Sequence, residues 1–554
     1  MTQLLKYPWL KLDALNGFMV FAVGLFFILT LIYSSRFMKG KKNLPQYYGY
    51  VILTAIAAVG ALLANNFILL LVFWGFLGLV LYLLINMGDE DADKASKKAL
   101  IIVGGSDALM ILGIAIINYY THTFQMDYVR LGLNNWLTVT AYLCIAIACF
   151  AKAGAMPMHS WIPDCAKSAP IPVTAYLPAS LDKLLGIYLL TRISLDLFQM
   201  NRLMNNFLMF IGAATIIAGV MMALVQHNMK KLLGFHAVSQ VGYMVLGIGT
   251  ANPIGIAGGL FHMLNHAVYK SCLFLTAGNV EHRTGTSELD ELGGLGKFMP
   301  ITYISCIIAS FSISGVPPFN GFVSKWMIYQ GLIENLSGSE SRLQVVFTSF
   351  CLIAALFGSG LTLASFMKLL HAVFLGERIN TAKEKAEVPA AMWFPPVVLA
   401  SICVIFGIFA FVLPLKYFIF PAVPGLEGSQ FPGVWLPVQA TLLVICGLVI
   451  GLIVFKLLRL KIQARTDSTF TGGEAESTPE SMVTGVDFYK SIEEVGLLKR
   501  IYKRAEGGAF DIYNWGKKIF IIARPLQFLH NGVLPTYMVW ILLGMVCLFL
   551  TLAR

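Results

Sequence analysis

Lys152, Lys183, Lys270 and Lys325 lie inside, or at the breaks of, segments that otherwise read as membrane-spanning helices. A charged side chain at bilayer depth costs about 2.5–3.5 kcal/mol even on the lenient insertion scale. A chain that keeps several of them is using them. The simplest use is to pass protons or other cations, since a buried amine changes protonation state readily. His262, His266 and Lys270 follow one another at i, i+4 and i+8, which stacks all three on one helix face. Imidazole titrates near neutral pH, so this stripe reads as a proton relay. The His pair has no carboxylate or cysteine beside it to complete a metal site. His236 and Gln240, one span earlier, are also i,i+4 and extend the polar path. The plainer account of His236 is a core histidine satisfied by hydrogen bonds.

Two carboxylates belong to the same set. Asp182 directly precedes Lys183, and adjacent residues do not share a helix face. Asp182 is therefore expected to meet a partner other than Lys183. Asp107, in Gly104-Gly105-Ser106-Asp107, is an acid within a span and needs a partner or caps a kink. Lys368 and His371 lie near the end of their span, where they either link the path to a loop or snorkel to the interface.

The elements that must position these groups are hydrophobic helices. Of 554 residues 57% are hydrophobic and 12% charged, against about 25% charged in soluble domains. The expected fold is an all-α polytopic membrane protein with about 14 spans. The spans run from Asp13 to Leu457, with a last one at 535–553. No signal-peptide pattern is expected, because the first apolar run is too long. The net charge of +11 does not imply nucleic-acid binding. Basic residues gather in alternate loops, as in Lys39-Lys41-Lys42, Lys94-Lys97-Lys98, Lys230-Lys231 and Lys456-Arg459-Lys461. By the positive-inside rule these loops are cytoplasmic and both termini lie outside. The nine cysteines fall mostly in apolar spans without CxxC spacing and read as small core residues. No iron–sulfur, haem, zinc or nucleotide-binding motif stands out, so no cofactor or metal is expected on this chain.

Two spans are interrupted alike. One reads Lys152-Ala-Gly154-Ala-Met-Pro157-Met-His159-Ser-Trp161, the other Gly315-Val-Pro317-Pro318-Phe-Asn-Gly321-Phe-Val-Ser-Lys325. Pro and Gly at membrane depth release backbone groups, which is tolerated only inside protein or beside a water-filled cavity. Paired broken helices in two halves of a chain point to a transporter built from inverted repeats. The expected organisation is a transmembrane domain at 1–458, a polar linker at 459–483, an amphipathic region at 484–534 and a terminal span at 535–554. Phe488, Ile492, Leu497, Ile501, Phe510, Ile512, Trp515 and Ile519 give the third of these its apolar face, suited to the membrane surface.

These motifs resemble the antiporter-like, proton-conducting membrane subunits of respiratory complex I and its relatives. The relatives are membrane-bound hydrogenases, formate hydrogenlyases and multisubunit Na+/H+ antiporters. The matching stretches are Lys152…Pro157…His159…Trp161-Ile-Pro-Asp164…Pro170-Ile-Pro172, then Lys230-Lys231…His236…Gln240…Tyr243. They continue with His262…Asn265-His266…Lys270, Gly293-Gly294-Leu-Gly-Lys297, and Gly315…Lys325. The resemblance implies a proton-holding role for Lys152, a second lysine one helix later at Lys183, a connecting relay at His262, His266 and Lys270, and a terminal group at Lys325. It also implies that the amphipathic tail is a short lateral helix.

Two departures accompany the resemblance. The chain begins at what looks like the family's third span. The family's glutamate after Phe-Trp is replaced, in Phe73-Trp74-Gly75-Phe76, by Gly75. In the family that glutamate pairs with the broken-helix lysine, here Lys152, and Asp182 or Asp107 is expected to substitute for it. The expected role is a proton- or Na+-translocating multi-pass subunit of the plasma membrane, within a redox-driven complex of the NADH or ferredoxin:quinone or hydrogenase type. Its partners would be other membrane subunits, a peripheral redox arm and the lipid bilayer. The alternatives are a non-conducting scaffold, a redox-independent antiporter component, or the membrane component of a bicarbonate/CO2-uptake system.

Overall fold

The computed structural model describes residues 5–6, 9–89, 91–339, 341–376, 386–423, 425–426, 437–457, 486, 489, 492, 494–519 and 532–552. The expected linker at 459–483 lies outside them, as does part of the expected lateral region, Phe488 included. The chain divides into two compact units, Met1–Val495 and Gly496–Arg554.

Among the described residues the regular structure of the first unit is helical apart from two pairs of two-residue strands. Its helices are α1 (Ala14–Phe37), α2 (Leu44–Leu63), α3 (Phe67–Ile85), α4 (Ala92–Thr121), α5 (Trp136–Ala153) and α6 (Trp161–Ser168). Then come α7 (Ile171–Tyr176), α8 (Asp182–Arg192), α9 (Arg202–Leu224), α10 (Met229–Gly249), α11 (Pro253–Thr284), α12 (Pro300–Ser314) and α13 (Asn320–Ser337). They are followed by α14 (Arg342–Leu370), α15 (Ala390–Ile408) and α16 (Pro437–Leu457). A wide π-type turn, Leu177–Leu181, joins α7 to α8 in one continuous span.

Twelve helices among the described residues are long and apolar enough to cross a membrane. The two other expected spans are present but fail that measure for physical reasons. Helix α11 carries His262, Asn265, His266, Lys270 and Asn279, which lower its hydropathy. Every residue from Ile254 to Val280 is buried, so neighbouring helices sheathe its polar groups from lipid. The other span is broken into α12, which at 15 residues is too short to cross alone, and α13, whose 18 residues are made too polar by Asn320, Lys325, Gln330 and Glu334. The span of α7 and α8 and helix α10 are as deeply enclosed as α11. Polar residues therefore concentrate on the protected central helices, while Ile68, Val72, Phe76 and Leu79 of α3 stay exposed on the apolar periphery.

A buried ion-pair cluster fixes one end of the central helices. Asp13 caps α1 through Leu15 N and Asn16 N, at 3.0 and 3.2 Å. Its other oxygen accepts from Arg192 at the end of α8. Arg192 also donates to Asp196 at 2.8 Å. Tyr188 OH and Asn16 Nδ2 both donate to the Leu62 carbonyl, at 2.8 and 3.0 Å. These bonds register α1, α2 and α8 against one another, and each satisfies a group that is costly to bury alone.

The second unit holds α17 (Gly496–Glu506), α18 (Ile512–Ile519) and α19 (Leu534–Leu552), the last being the terminal span.

Candidate proton path

The two breaks use one backbone device. Helix α5 ends at Gly154 with φ +81°, and α12 ends at Gly315 with φ +80°. Only glycine takes this left-handed conformation at little cost. The amide after each glycine reaches back five residues, Ala155 N to Phe150 O and Val316 N to Phe311 O, both at 3.0 Å. This is the Schellman closure of a helix end. A cis peptide follows at the same distance from each glycine, Met156–Pro157 and Pro317–Pro318.

Lys152, in the last turn of α5, is wholly buried. Its Nζ lies 3.8 Å from Asp182 Oδ1 and 5.2 Å from the centre of the Trp74 indole. The partner expected for Asp182 is therefore Lys152. The wide turn at Leu177–Leu181, which includes Pro178, immediately precedes Asp182 and sets its direction. Asp107 lies in α4, within electrostatic reach of Lys152 and near Trp74. A Cβ on Gly78 of α3 would come 3.9 Å from Asp107 Oδ2. Gly75 lies elsewhere: a Cβ there would meet nothing within 4 Å. A carboxylate at 75 would thus leave from an open face of α3, whereas Asp182 and Asp107 approach Lys152 from other helices.

Lys183 packs on the other side of the first break. A Cβ on Gly154 would be 3.3 Å from its Nζ, which also lies 5.8 Å from the Trp161 ring centre. Trp161 Nε1 donates to Ala151 O at 2.9 Å, tying the start of α6 to the end of α5.

Helix α11 then carries the row across the centre. His266 lies within electrostatic range of Lys183, Lys270 and His262. His262 is held by Ser324 Oγ at 2.9 Å, and its Nε2 lies 3.2 Å from both Gln240 Oε1 and the Tyr269 hydroxyl. Lys270 Nζ sits between Phe274 and Phe366, 5.6 and 5.7 Å from their ring centres. His236 donates to or accepts from Ser365 Oγ at 2.7 Å and is within electrostatic range of Lys270 and Lys325.

At the second break Lys325 Nζ donates to Ile313 O at 2.9 Å and lies 4.5 Å over the Tyr243 ring. A Cβ on Gly315 would sit 3.0 Å from Lys325 Cδ. Asn320, the first residue of α13, bonds reciprocally with Asn265 of α11: Nδ2 to Oδ1 at 2.9 Å, and Asn265 Nδ2 to Asn320 O at 3.0 Å. Ser312 Oγ donates to Asn320 Oδ1.

Several buried groups in this row have no protein hydrogen-bond partner among the described residues. They are Lys152 Nζ, both oxygens of Asp182, Lys183 Nζ, both ring nitrogens of His266, and Lys270 Nζ. Lys368 is separate from them. It is buried at the far end of α14, where its Nζ donates to Leu224 O at 2.8 Å and Gln226 O at 3.1 Å and so caps α9.

The sequence profile of the transmembrane family described as NADH:quinone oxidoreductase/Mrp antiporter matches residues 64–351. The chain belongs to that family. The match takes in both breaks and every group of the row from Asp107 to Lys325. Among relatives of this antiporter family, a Na(+)/H(+) antiporter subunit of Alkalihalophilus pseudofirmus is 30% identical over 540 residues, 89% of this chain and 66% of that protein. Hydrogenase-4 component B of Escherichia coli is 30% identical over 422 residues, 72% of this chain and 62% of that protein. The chain spans about half to two thirds of the length of the curated relatives it matches. Two solved structures share the fold at 22% identity. A chain of the Mrp complex from Dietzia sp. DQ12-45-1b has a TM-score of 0.68, over 76% of this chain and 86% of that one. A chain of the membrane-bound sulfane sulfur reductase, an archaeal respiratory membrane complex, has 0.77, over 97% and 89%.

The neutral residues that hold the row had no role assigned from the sequence: Trp74, Tyr243, Asn265, Asn320 and Ser324 stood only as parts of quoted motifs, and Tyr269 and Ser365 not at all. Asn265 carried the further signal of standing between two histidines on a polar span.

Proposed function

We propose that this chain is a proton-translocating membrane subunit of a larger ion-pumping complex of the plasma membrane. The observation that carries the reading is the row of buried ionisable groups running from one helix break to the other. Buried amines, imidazoles and carboxylates with spare hydrogen-bonding capacity are stable only when hydrated. A hydrated row of titratable groups is what proton transfer requires. The path enters from the cytoplasm at Lys152 and Asp182, passes Lys183, His266, Lys270 and His262, and leaves by Lys325. Asp107 and His236 flank it. The partner subunits carry the electron-transfer chemistry of a peripheral redox arm.

The test is proton flux in vesicles containing the assembled complex, driven by its electron donor. Lys152→Ala and Lys325→Ala are each expected to abolish flux while the complex still assembles. Wild-type flux in both variants would leave only an anchoring role. A second reading, Na+/H+ exchange without redox coupling, is favoured by the relatives that are Na(+)/H(+) antiporter subunits. Cation-driven proton flux without any electron donor would select it.

A further inference from the structure

The second unit contains a surface that the proton path does not use. Along α17, Lys499, Arg500, Lys503 and Arg504 fall on one face, and Leu497, Leu498, Ile501, Tyr502 and Ala505 on the opposite face. Along α18, Lys517 and Lys518 lie opposite Ile512 and Trp515. Six basic side chains thus stand against two acidic ones, Glu506 and Asp511, from Gly496 to Ile519. Leu497, Ile501, Phe510 and Trp515 are exposed, at 71, 42, 53 and 57%. Tyr502 on the same face is buried, at 3%, so the open part is Leu497 and Ile501 of α17 with Phe510 and Trp515 after them, and that part is unstable in water without a covering.

We infer that α17 and α18 lie flat in the cytoplasmic leaflet and bind anionic phospholipid headgroups. Three features favour lipid as the covering. The helix α19 that follows is itself apolar enough to span the bilayer, so the unit is held at a membrane. The loop charges place the chain after Lys456 on the basic, cytoplasmic side, where anionic lipids concentrate. The aromatic residues are of the interfacial kind: Trp515 donates from Nε1 to Ala509 O at 2.6 Å, and Lys517 covers Tyr513 at 4.3 Å. With the apolar faces dipped among the acyl chains, the lysines and arginines reach the phosphate plane. The inference is independent of the proton path and holds even if the chain conducts nothing.

Hydrogen–deuterium exchange on the full chain tests this. It is compared in vesicles of phosphatidylcholine alone and of phosphatidylcholine with phosphatidylglycerol. Amides of 496–506 and 512–519 are expected to exchange about tenfold more slowly in the anionic vesicles, and added salt should reverse the difference. The variant K499Q/R500Q/K503Q/R504Q should lose it while α10 and α11 keep wild-type protection. Equal exchange in the two vesicles would overturn the inference. So would protection that follows a co-purifying protein whatever the lipid. The salt titration needs no variant, so a poorly folding variant does not spare the inference.

Discussion

Lys325 donates to the carbonyl of Ile313, and Ile313 stands two residues before Gly315, as Lys152 stands two residues before Gly154. The two helix breaks share their glycine, their Schellman closure and the place of their cis proline. They differ in how a lysine arrives. Lys152 comes on the helix that ends at the break, and Lys325 comes back from the helix that begins after it. Both routes set an ammonium beside a helix C-terminus, where the backbone dipole favours positive charge.

That geometry separates two jobs of Lys325, neutralising a helix end and carrying a proton. Lys325→Gln keeps a donor for the Ile313 carbonyl but cannot be protonated or release a proton. It is expected to melt like the wild type in detergent and to conduct at a tenth of the rate or less. Lys325→Ala removes the donor as well, and should add about 1–3 kcal/mol of destabilisation from the unsatisfied carbonyl. Wild-type flux through Lys325→Gln would reduce Lys325 to a helix cap.

The carboxylates near Lys152 should rank by geometry. Asp182 is wholly buried and 3.8 Å from the ammonium, whereas Asp107 is half-buried in α4 on the Trp74 side. Removing one partner of a buried ion pair costs about 3–5 kcal/mol. Asp182→Asn is therefore expected to lower both thermal stability and flux strongly, and Asp107→Asn to lower each by less. The double variant should lose nearly all flux. Unchanged flux in the double variant would dismiss both acids as replacements for the missing glutamate. A larger loss in Asp107→Asn than in Asp182→Asn would reverse their order.

Much of this was legible in the sequence because the signals are local. A Pro or Gly within an apolar run marks a break by backbone chemistry alone, and a lysine within one marks a cost. The i, i+4, i+8 spacing of His262, His266 and Lys270 needed only helix geometry. The sequence offered Asp182 and Asp107 alike as acids for Lys152 and could not choose between them, because the wide turn at Leu177–Leu181 changes the helical phase before Asp182. The Asn265–Asn320 bond and the Arg192–Asp13 pair join residues far apart in sequence, and neither partner advertises the other. Helix α11 would be missed by hydropathy alone, since burial by its neighbours, not apolarity, keeps it in the membrane.

The break glycines should be intolerant, and for different reasons. A left-handed conformation costs a residue with a Cβ about 1–2 kcal/mol. In Gly154→Ala the added carbon also runs into Ile162 Cδ1 and approaches Lys183 Nζ. The expected result is a loss of about 2 kcal/mol or more, seen as lower yield and melting temperature. In Gly315→Ala the carbon meets Lys325 Cδ at 3.0 Å, and that flexible chain can shift. Its expected signature is a milder loss of stability with flux reduced more than stability. Equal effects of the two substitutions on both measurements would count against Lys325 as the sensitive neighbour.

Gly75 offers the sharpest check on how this chain departs from its family. If the lost glutamate could simply be restored, Gly75→Glu would rescue Asp182→Asn. The structure argues otherwise, because the Cα–Cβ direction at Gly75 opens onto a face with nothing within 4 Å. Its neighbours Val72, Phe76 and Leu79 are exposed apolar residues. A carboxylate placed among them faces lipid or another subunit, at a cost of about 2.5–3.5 kcal/mol for a charge at the helix centre. Gly75→Glu is therefore expected to lower membrane insertion or yield in the wild-type background and to leave the flux of Asp182→Asn unrestored. Restored flux in the Gly75→Glu/Asp182→Asn double variant would mean that α3 rotates to present position 75 to Lys152, and the charge pair would then have to be redrawn around α3.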